Sequence, residues 1–421
     1  MFAKKTVRDI DLKNKTVLLH GEFDAPLTSD GKNVTSDFRI RSVLPTIKYL
    51  QEQNCRIILV SKLGRPGGRP DSKQSLRPVA ACLAAIIGQD VQFVPDCVGR
   101  QVRAAVKSMP PSGLLMLENL RFHPEEEQND QAFAQKLADD SGAEVFVQDC
   151  FSLVHRQEAI TDAITHCLPS VAGLHLEEEI VTIIGATEHP ARPLVTIVGG
   201  AKISDKIGTL AKFVEIADCV VVGGAIANVF LTAQGYEVGQ SHFTAADLKM
   251  ANAILTAANK KMQQNDQCIF YIAQDGIAAK SLNAPETAHV VSWSIADPGK
   301  GSQIVADGES IFDVGPLSSA YIANKAKNAG TVIWNGTLGV TEVQTEIGVP
   351  GPFARGTETL ITALIGKDKR PYSLVCGGDT SGYIEQRKLT SKFNHVSTGG
   401  GSSLELLAGH KLPGIEALAD K

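Results

Sequence analysis

Short apolar runs rich in valine, isoleucine and leucine recur along the chain, separated by longer stretches in which apolar residues fall at helical spacing. In the first part the runs at Thr16–His20, Arg56–Val60, Leu114–Leu117 and Val145–Asp149 predict strands. In the second part the strands are predicted at Leu194–Val198, Cys219–Val222, Cys268–Ile272, Thr331–Trp334, Ser373–Cys376 and His395–Ser397. Helical patterns lie between them, as at Arg41–Gln53 and Gln131–Asp139. The runs are apolar at consecutive positions, the mark of strands covered on both faces. Strand alternating with helix predicts an α/β fold of parallel sheets with right-handed crossovers. The stretch Leu176–Pro193, LEEEIVTIIGATEHPARP, reads as one helix followed by a proline-bearing linker, and divides the chain in two. Repetition extends no further than the βα unit.

The segment Val195–Lys206, VTIVGGAKISDK, is the most informative. A strand ends in two glycines, and Lys202 and Lys206 follow four residues apart. On a helix they would lie one turn apart and face the same anion. Glycines close four further strands, at Gly223-Gly224, Gly336, Gly377-Gly378 and Gly399-Gly400-Gly401. Ligands of open α/β sheets bind at the carboxyl ends of strands, so this series predicts a phosphate and nucleoside crevice. Asp379, beside Thr380 after the fourth turn, is a candidate Mg²⁺ ligand. Tight βα turns also use glycine, and Asp379 also suits a helix N-cap. Five such turns, one with paired lysines, favour the nucleotide reading. Neither the G-x-x-x-x-G-K-[ST] nor the G-x-G-x-x-G pattern is present.

The first half carries arginines instead. Arg39 lies in SDFRIRS, Arg65 in SKLGRPGG, Arg121 in ENLRFHPEEE and Arg156 in CFSLVHRQE. The last three follow predicted strands, so they are expected to meet on one rim and grip phosphate or carboxylate. Lys62 and His155 would join them. Four unrelated surface arginines are the competing reading, and His155 alone also suits a structural role.

Length and charge narrow the class. A chain of 421 residues suggests two domains, and its net charge of −5 disfavours a general nucleic-acid binder. Eight cysteines stand singly with no Cys-x-x-Cys pair, which points to free thiols in a reducing compartment. MFAKKTVRDIDL has no apolar leader core, and no run reaches membrane length. A cytoplasmic protein is expected.

The chain resembles the phosphoglycerate kinase family along nearly its whole length. The matching stretches include RIRSVLPTIKYL, SKLGRP, LENLRFHPEEEQND, GGAKISDKIG, WNGTLGV, FARGT, GGDT, HVSTGGGSSLELL and LPGIEAL. Together and in this order they are highly specific. The resemblance implies two Rossmann-like domains joined by a hinge helix: residues 1–178 binding 3-phosphoglycerate and residues 179–403 binding Mg–ATP. Residues 404–421 would pack back on the first. It implies reversible phosphoryl transfer between 1,3-bisphosphoglycerate and ADP, closure during reaction, and a monomer without nucleic-acid or membrane partners. By position, Arg39, Lys202, Lys206, Gly378 and Gly401 match catalytic residues. Glu22, Phe23, Asp24, Arg39, Lys62, Leu63, Gly64, Arg65, Arg121, His155 and Arg156 match the acid-binding set. Gly200, Ala201, Lys202, Lys206, Gly224, Asn335, Glu342, Gly377, Gly378, Asp379 and Thr380 match the nucleotide set, with Asp379 the metal ligand. The acceptor would be a carboxylate, already ionised at neutral pH, so no general base is required.

Several binding loops depart from the family pattern. RVDFN is replaced by HGEFD, which puts Glu22 and Asp24 where the family has aspartate and asparagine. Lys62 stands for a histidine, and NDAFGTAHR reads QDCFSLVHR. Thr337 replaces a proline, and VQTEIGVPGPF adds residues before FARGT. An ionised Asp24 offers only acceptors to an anionic substrate. That predicts either weakened affinity or an internal pairing of Asp24 with Lys62 or His20. A second functional reading is therefore a paralogue with little or no turnover that binds nucleotide in a regulatory or interaction role. Retention of Arg39, Lys202, Lys206 and Asp379 favours the active enzyme.

Overall fold

In the first sheet six parallel strands run in the spatial order Val91–Val94, Leu114–Leu117, Arg56–Val60, Thr16–His20, Val145–Gln148 and Ser170–Ala172. The computed structural model describes residues 2–293, 302–346, 348–366 and 370–421. Two units divide the chain, Met1–Val181 with Lys411–Lys421 and Thr182–His410, and the division falls inside the helix Leu174–Glu188.

Apolar clusters cover both faces of the first sheet. One gathers Val17, Leu19, Ile57, Leu59, Met116 and Val147; the other gathers Leu18, Ile58, Leu115 and Phe146. Alternate residues of the same strands point to opposite faces, which is why each run had to be apolar throughout. The Arg41–Gln53 pattern forms two helices, Phe38–Ser42 and Leu44–Glu52, that meet at Val43. Pro45 sits in the first turn of the second, where its missing N–H costs no helical bond. Gln131–Ser141 is helical, capped by the Asp130 side chain on the Phe133 N–H and closed by Gly142 in the left-handed region. The strands Val91–Val94 and Ser170–Ala172 were not predicted.

Lys411–Lys421 belongs to this first unit. Ala419 N–H donates to Ser170 C=O at 3.0 Å and Lys421 N–H to Ala3 C=O at 3.0 Å. Gly414 N–H reaches Val154 C=O at 2.9 Å, beside the loop that carries His155 and Arg156.

The second unit repeats the design. Its parallel sheet runs Ile269–Ile272, Cys219–Val222, Leu194–Val198, Thr331–Asn335, Tyr372–Cys376 and His395–Val396. A separate antiparallel sheet of His289–Ser292, Asp275–Ala279 and Ser310–Val314 had no sequence forecast. In the added stretch 343–353, Gln344–Glu346 pairs antiparallel with Val349–Pro350, and Ile347 lies outside the described residues.

In each sheet strand order reverses beside the first strand. In the first, the chain leaves Thr16–His20 towards Arg56–Val60 on one side and returns at Val145–Gln148 on the other. In the second, Leu194–Val198 has Cys219–Val222 on one side and Thr331–Asn335 on the other. Such reversal points open a crevice at the carboxyl ends of the strands.

Candidate active site

The crevice of the first unit is built from the turns after Thr16–His20 and Val145–Gln148. Glu22 is fully buried between them. Ser152 donates its backbone N–H to Glu22 Oε1 at 2.6 Å and its hydroxyl to Oε2 at 2.8 Å. Arg39 Nη1 lies 3.3 Å from the same Oε2 and 2.5 Å from Asp24 Oδ2. One guanidinium therefore meets two carboxyl groups. Burial, reinforced by the charge of Asp24, pushes the Glu22 carboxyl up to about 8, against the pull of Arg39 and Ser152. Burial works against the charge of Arg39, but Asp24 and Glu22 outweigh it, so its pKa rises above the usual value. The expected pairing of Asp24 with Lys62 or His20 is thus corrected: its partner is Arg39. Phe23 is buried, with its ring against the place a Cβ on Gly21 would occupy.

Lys62 is also fully buried. Its ammonium bonds Glu126 Oε1 at 3.0 Å and, at shorter range, Glu158 Oε2. The Lys62 charge is committed to these two carboxylates rather than offered at an open rim. Burial alone would raise the Glu158 carboxyl; Lys62, Arg156 and Arg121 outweigh it and lower the pKa. Arg156 Nη1 stands 3.5 Å from Glu158 Oε1. The fold thus gathers Lys62, Arg121 and Arg156 around Glu158, as convergence of strand-end loops requires. Arg121 also donates to Gly64 C=O at 2.7 Å, tying it to the loop that carries exposed Arg65. Leu63 is held by Asn119, whose side chain bonds both its N–H and its C=O. Gly64 has φ +61°, and a Cβ there would fall 1.9 Å from Gln74 Oε1. His155 is half-buried beside Arg156, with their side-chain nitrogens 3.4 Å apart. His20, buried at the strand end opposite Gln148, is kept neutral chiefly by burial and next by the charge of Lys62.

The crevice of the second unit lies between the turns after Leu194–Val198 and Thr331–Asn335. The backbones touch: Gly200 N–H donates to Thr337 C=O at 2.9 Å, and a Cβ on Gly199 would fall 2.0 Å from that oxygen. Only glycine permits this approach. Lys206 Nζ donates to Asn335 Oδ1 at 2.6 Å, and burial lowers its pKa to about 8 despite Asp379 and Asp205 nearby. Thr380 Oγ1 accepts from Gly336 N–H at 2.8 Å. The expected helical spacing of Lys202 and Lys206 is corrected. Lys202 is exposed in a loop, Lys206 ends the 3-10 turn Ser204–Lys206, and the α-helix starts at Ile207. After the two glycines the chain runs irregularly through residues 201–203 before the 3-10 turn begins.

Three helices start at this edge. In Gly224–Ala233 the first N–H groups bond the carbonyls of Leu338 and Gly200. Gly378–Gln386 and Gly400–Leu407 begin after Gly377 and Gly399, which bring no capping side chain. A Cβ on Gly400 would lie 4.0 Å from Gly378 N, so the two helix starts are adjacent. Helix N-termini whose N-cap residue is glycine attract anions, and phosphate is the usual one. Asp379, exposed in the first turn, contributes a carboxylate beside Lys206. Gly401 is in the first turn of the neighbouring helix. Ala201 is exposed after Gly200, and Glu342 is exposed in the loop beyond Leu338.

Ser152, Glu126 and Glu158 were not among the predicted site residues. In the sequence Ser152 stands out only as a departure within QDCFSLVHR. The glutamates gave no local signal, because their partner Lys62 is 64 and 96 positions away.

Comparison with known proteins agrees with this architecture. The sequence profile of phosphoglycerate kinase matches residues 7–410. The phosphoglycerate kinases of Koribacter versatilis and Moorella thermoacetica are each 40% identical to the chain, over the full length of both partners. The solved phosphoglycerate kinase of Coxiella burnetii is similar with a TM-score of 0.79 at 33% identity, covering 98% of each chain. That of Pyrococcus horikoshii gives the same TM-score at 26% identity, covering 99% of this chain and 98% of its own. Two parallel sheets, each with a polar crevice at its reversal point, and full-length relatives of one kind lead to a single assignment: the chain belongs to the phosphoglycerate kinase family.

Proposed function

We propose that the chain catalyses reversible phosphoryl transfer between 1,3-bisphosphoglycerate and ADP, giving 3-phosphoglycerate and ATP, with a carboxyl group as acceptor. The observation that carries this reading is the contrast between the two crevices. One offers arginines. The other offers two adjacent helix starts with glycine N-caps, and Lys206 near the first of them. A carboxylate acceptor needs no deprotonation at neutral pH. The task is to hold several anions and to stabilise the transferring phosphoryl, which cations and oriented N–H groups do.

In this reading the first unit takes the acid. Arg65, Arg121 and Arg156 grip its phosphate, and Arg39 serves the transferring group. The second unit takes the nucleotide, with the Gly377–Gly378 and Gly399–Gly401 turns and Lys206 on its phosphates. The residues present suit Mg²⁺: Asp379 gives one exposed carboxylate, and nucleotide phosphates and water complete the shell such an ion prefers. When bound, the ion neutralises phosphate charge. No cluster of three metal-ligating side chains occurs among the described residues.

We further propose a monomeric cytoplasmic enzyme. All eight cysteines are free, as a reducing compartment favours. No helix among the described residues is long and apolar enough to cross a membrane. The inactive reading finds no support in the comparisons. An NADH-coupled assay with Mg–ATP tests the proposal: ADP release should depend on 3-phosphoglycerate, and release independent of the acid would defeat it.

A further inference from the structure

The two carboxyl groups on Arg39 differ in how they are anchored. Glu22 has no exposed side-chain surface and is fixed through both oxygens by Ser152. The Asp24 side chain is 27% exposed, and among the described residues Arg39 is its one bonded partner. Asp24 Oδ1 has none. The Arg39 side chain is 24% exposed and lies 2.5 Å from Asp24. Asp24 and Arg39 are thus both partly exposed, beside a buried Glu22 that Ser152 holds.

From this geometry we propose that Asp24 is an exchangeable occupant of the Arg39 anion site, and that it sets acceptor affinity by competing with the incoming anion. A carboxylate bonded to a guanidinium resembles the carboxylate or phosphoryl oxygens of the substrate in charge and in acceptor geometry. Only one such group can occupy the outer Nη1 position. Substrate therefore binds the fraction of molecules in which Asp24 has turned away, and its apparent affinity falls by that fraction. Glu22 does not exchange, because leaving would strand its oxygens and the Ser152 N–H without partners in a buried pocket. It stays as the second anchor that keeps Arg39 oriented after Asp24 departs. Asp24 is thus a specificity-determining residue acting through Arg39.

The proposal rests on the reading that the first unit binds the phosphorylated acid, and the test separates the two. Full-length wild type, Asp24→Asn, Asp24→Ala and Asp24→Glu would be titrated with 3-phosphoglycerate by calorimetry, and assayed for KM of the acid and of ADP. Removing the competing charge should tighten 3-phosphoglycerate binding about tenfold in both the Asn and the Ala variants, while KM for ADP stays unchanged. Asp24→Glu keeps the charge and should stay within about threefold of wild type. Wild-type binding with no tightening in the Asn and Ala variants, or with weakening, would overturn the exchange and leave the site assignment standing. Absence of acid binding in every protein, with folding verified by circular dichroism, would overturn both.

Discussion

Lys206 Nζ donates to Asn335 Oδ1 across 2.6 Å, and this bond ties the glycine turn after Leu194–Val198 to the end of the neighbouring strand Thr331–Asn335. It orients a lysine that burial has brought down to about 8. The amide accepts without neutralising the charge, so a phosphate can still use it.

The first prediction follows from that pKa. Nucleotide phosphates favour the charged ammonium, so ADP binding should take up a fraction of a proton near pH 8. Affinity should fall as pH rises through this value, because the free protein then loses the Lys206 proton. Calorimetry in buffers of different ionisation enthalpy measures the uptake. Lys206→Arg, which stays charged, should abolish the uptake and flatten the pH profile. Equal proton uptake in the variant would rule Lys206 out as its source.

The second prediction concerns Arg39. Its guanidinium pairs with Asp24 at 2.5 Å and with Glu22 at 3.3 Å. Arg39→Ala should lower kcat by roughly 10²-fold or more and leave ADP binding intact. An unchanged kcat would remove Arg39 from the phosphoryl-transfer step.

A third prediction addresses Lys62, buried between Glu126 and Glu158. Lys62→Met leaves two buried carboxylates without their cation, which should cost about 3–5 kcal/mol of stability in urea unfolding. Adding Glu126→Gln and Glu158→Gln to Lys62→Met should recover most of that loss. If Lys62→Met were as stable as wild type, the ammonium would have to be solvated rather than buried.

Glu22 supports a fourth. Its carboxyl has an ordinary value of 4.5 and rises to about 8 in the folded chain. The native state therefore favours the protonated form. That contribution is full below pH 4.5, declines as the unfolded chain ionises, and is lost once pH exceeds about 8. The stability of wild type should thus fall across this window relative to Glu22→Gln, which has no such proton. Parallel pH–stability curves for the two proteins would mean that Glu22 is ionised throughout.

Legibility in the sequence followed the range of the forces involved. The strands Thr16–His20, Arg56–Val60, Leu194–Val198 and Cys219–Val222 were readable to the residue, since burial on both faces demands unbroken apolar runs. Val91–Val94 escaped because it is an edge strand whose Gln92 is exposed, which interrupts the run. Ser170–Ala172 is too short to carry a pattern. At the sites, residue type revealed charge but not direction. Lys62 reads as one more cation of a patch, yet its chain turns inward to carboxylates far along the sequence. The pairing of Glu22 with Ser152 spans 130 positions and has no local signature either. The glycines after strands were the reverse case. Backbone contact such as Gly199 against Thr337 excludes every side chain, so the sequence had to declare it.

The most direct measurement is chemical trapping of the product. Incubation of the full chain with Mg–ATP and 3-phosphoglycerate in the presence of hydroxylamine should yield a hydroxamate, because an acyl phosphate reacts with this nucleophile. The hydroxamate should depend on both substrates and fall sharply with Arg39→Ala. ADP release with no hydroxamate, or a phosphate found on the substrate hydroxyl, would contradict carboxyl phosphorylation and the assignment of the arginine crevice as its acceptor site.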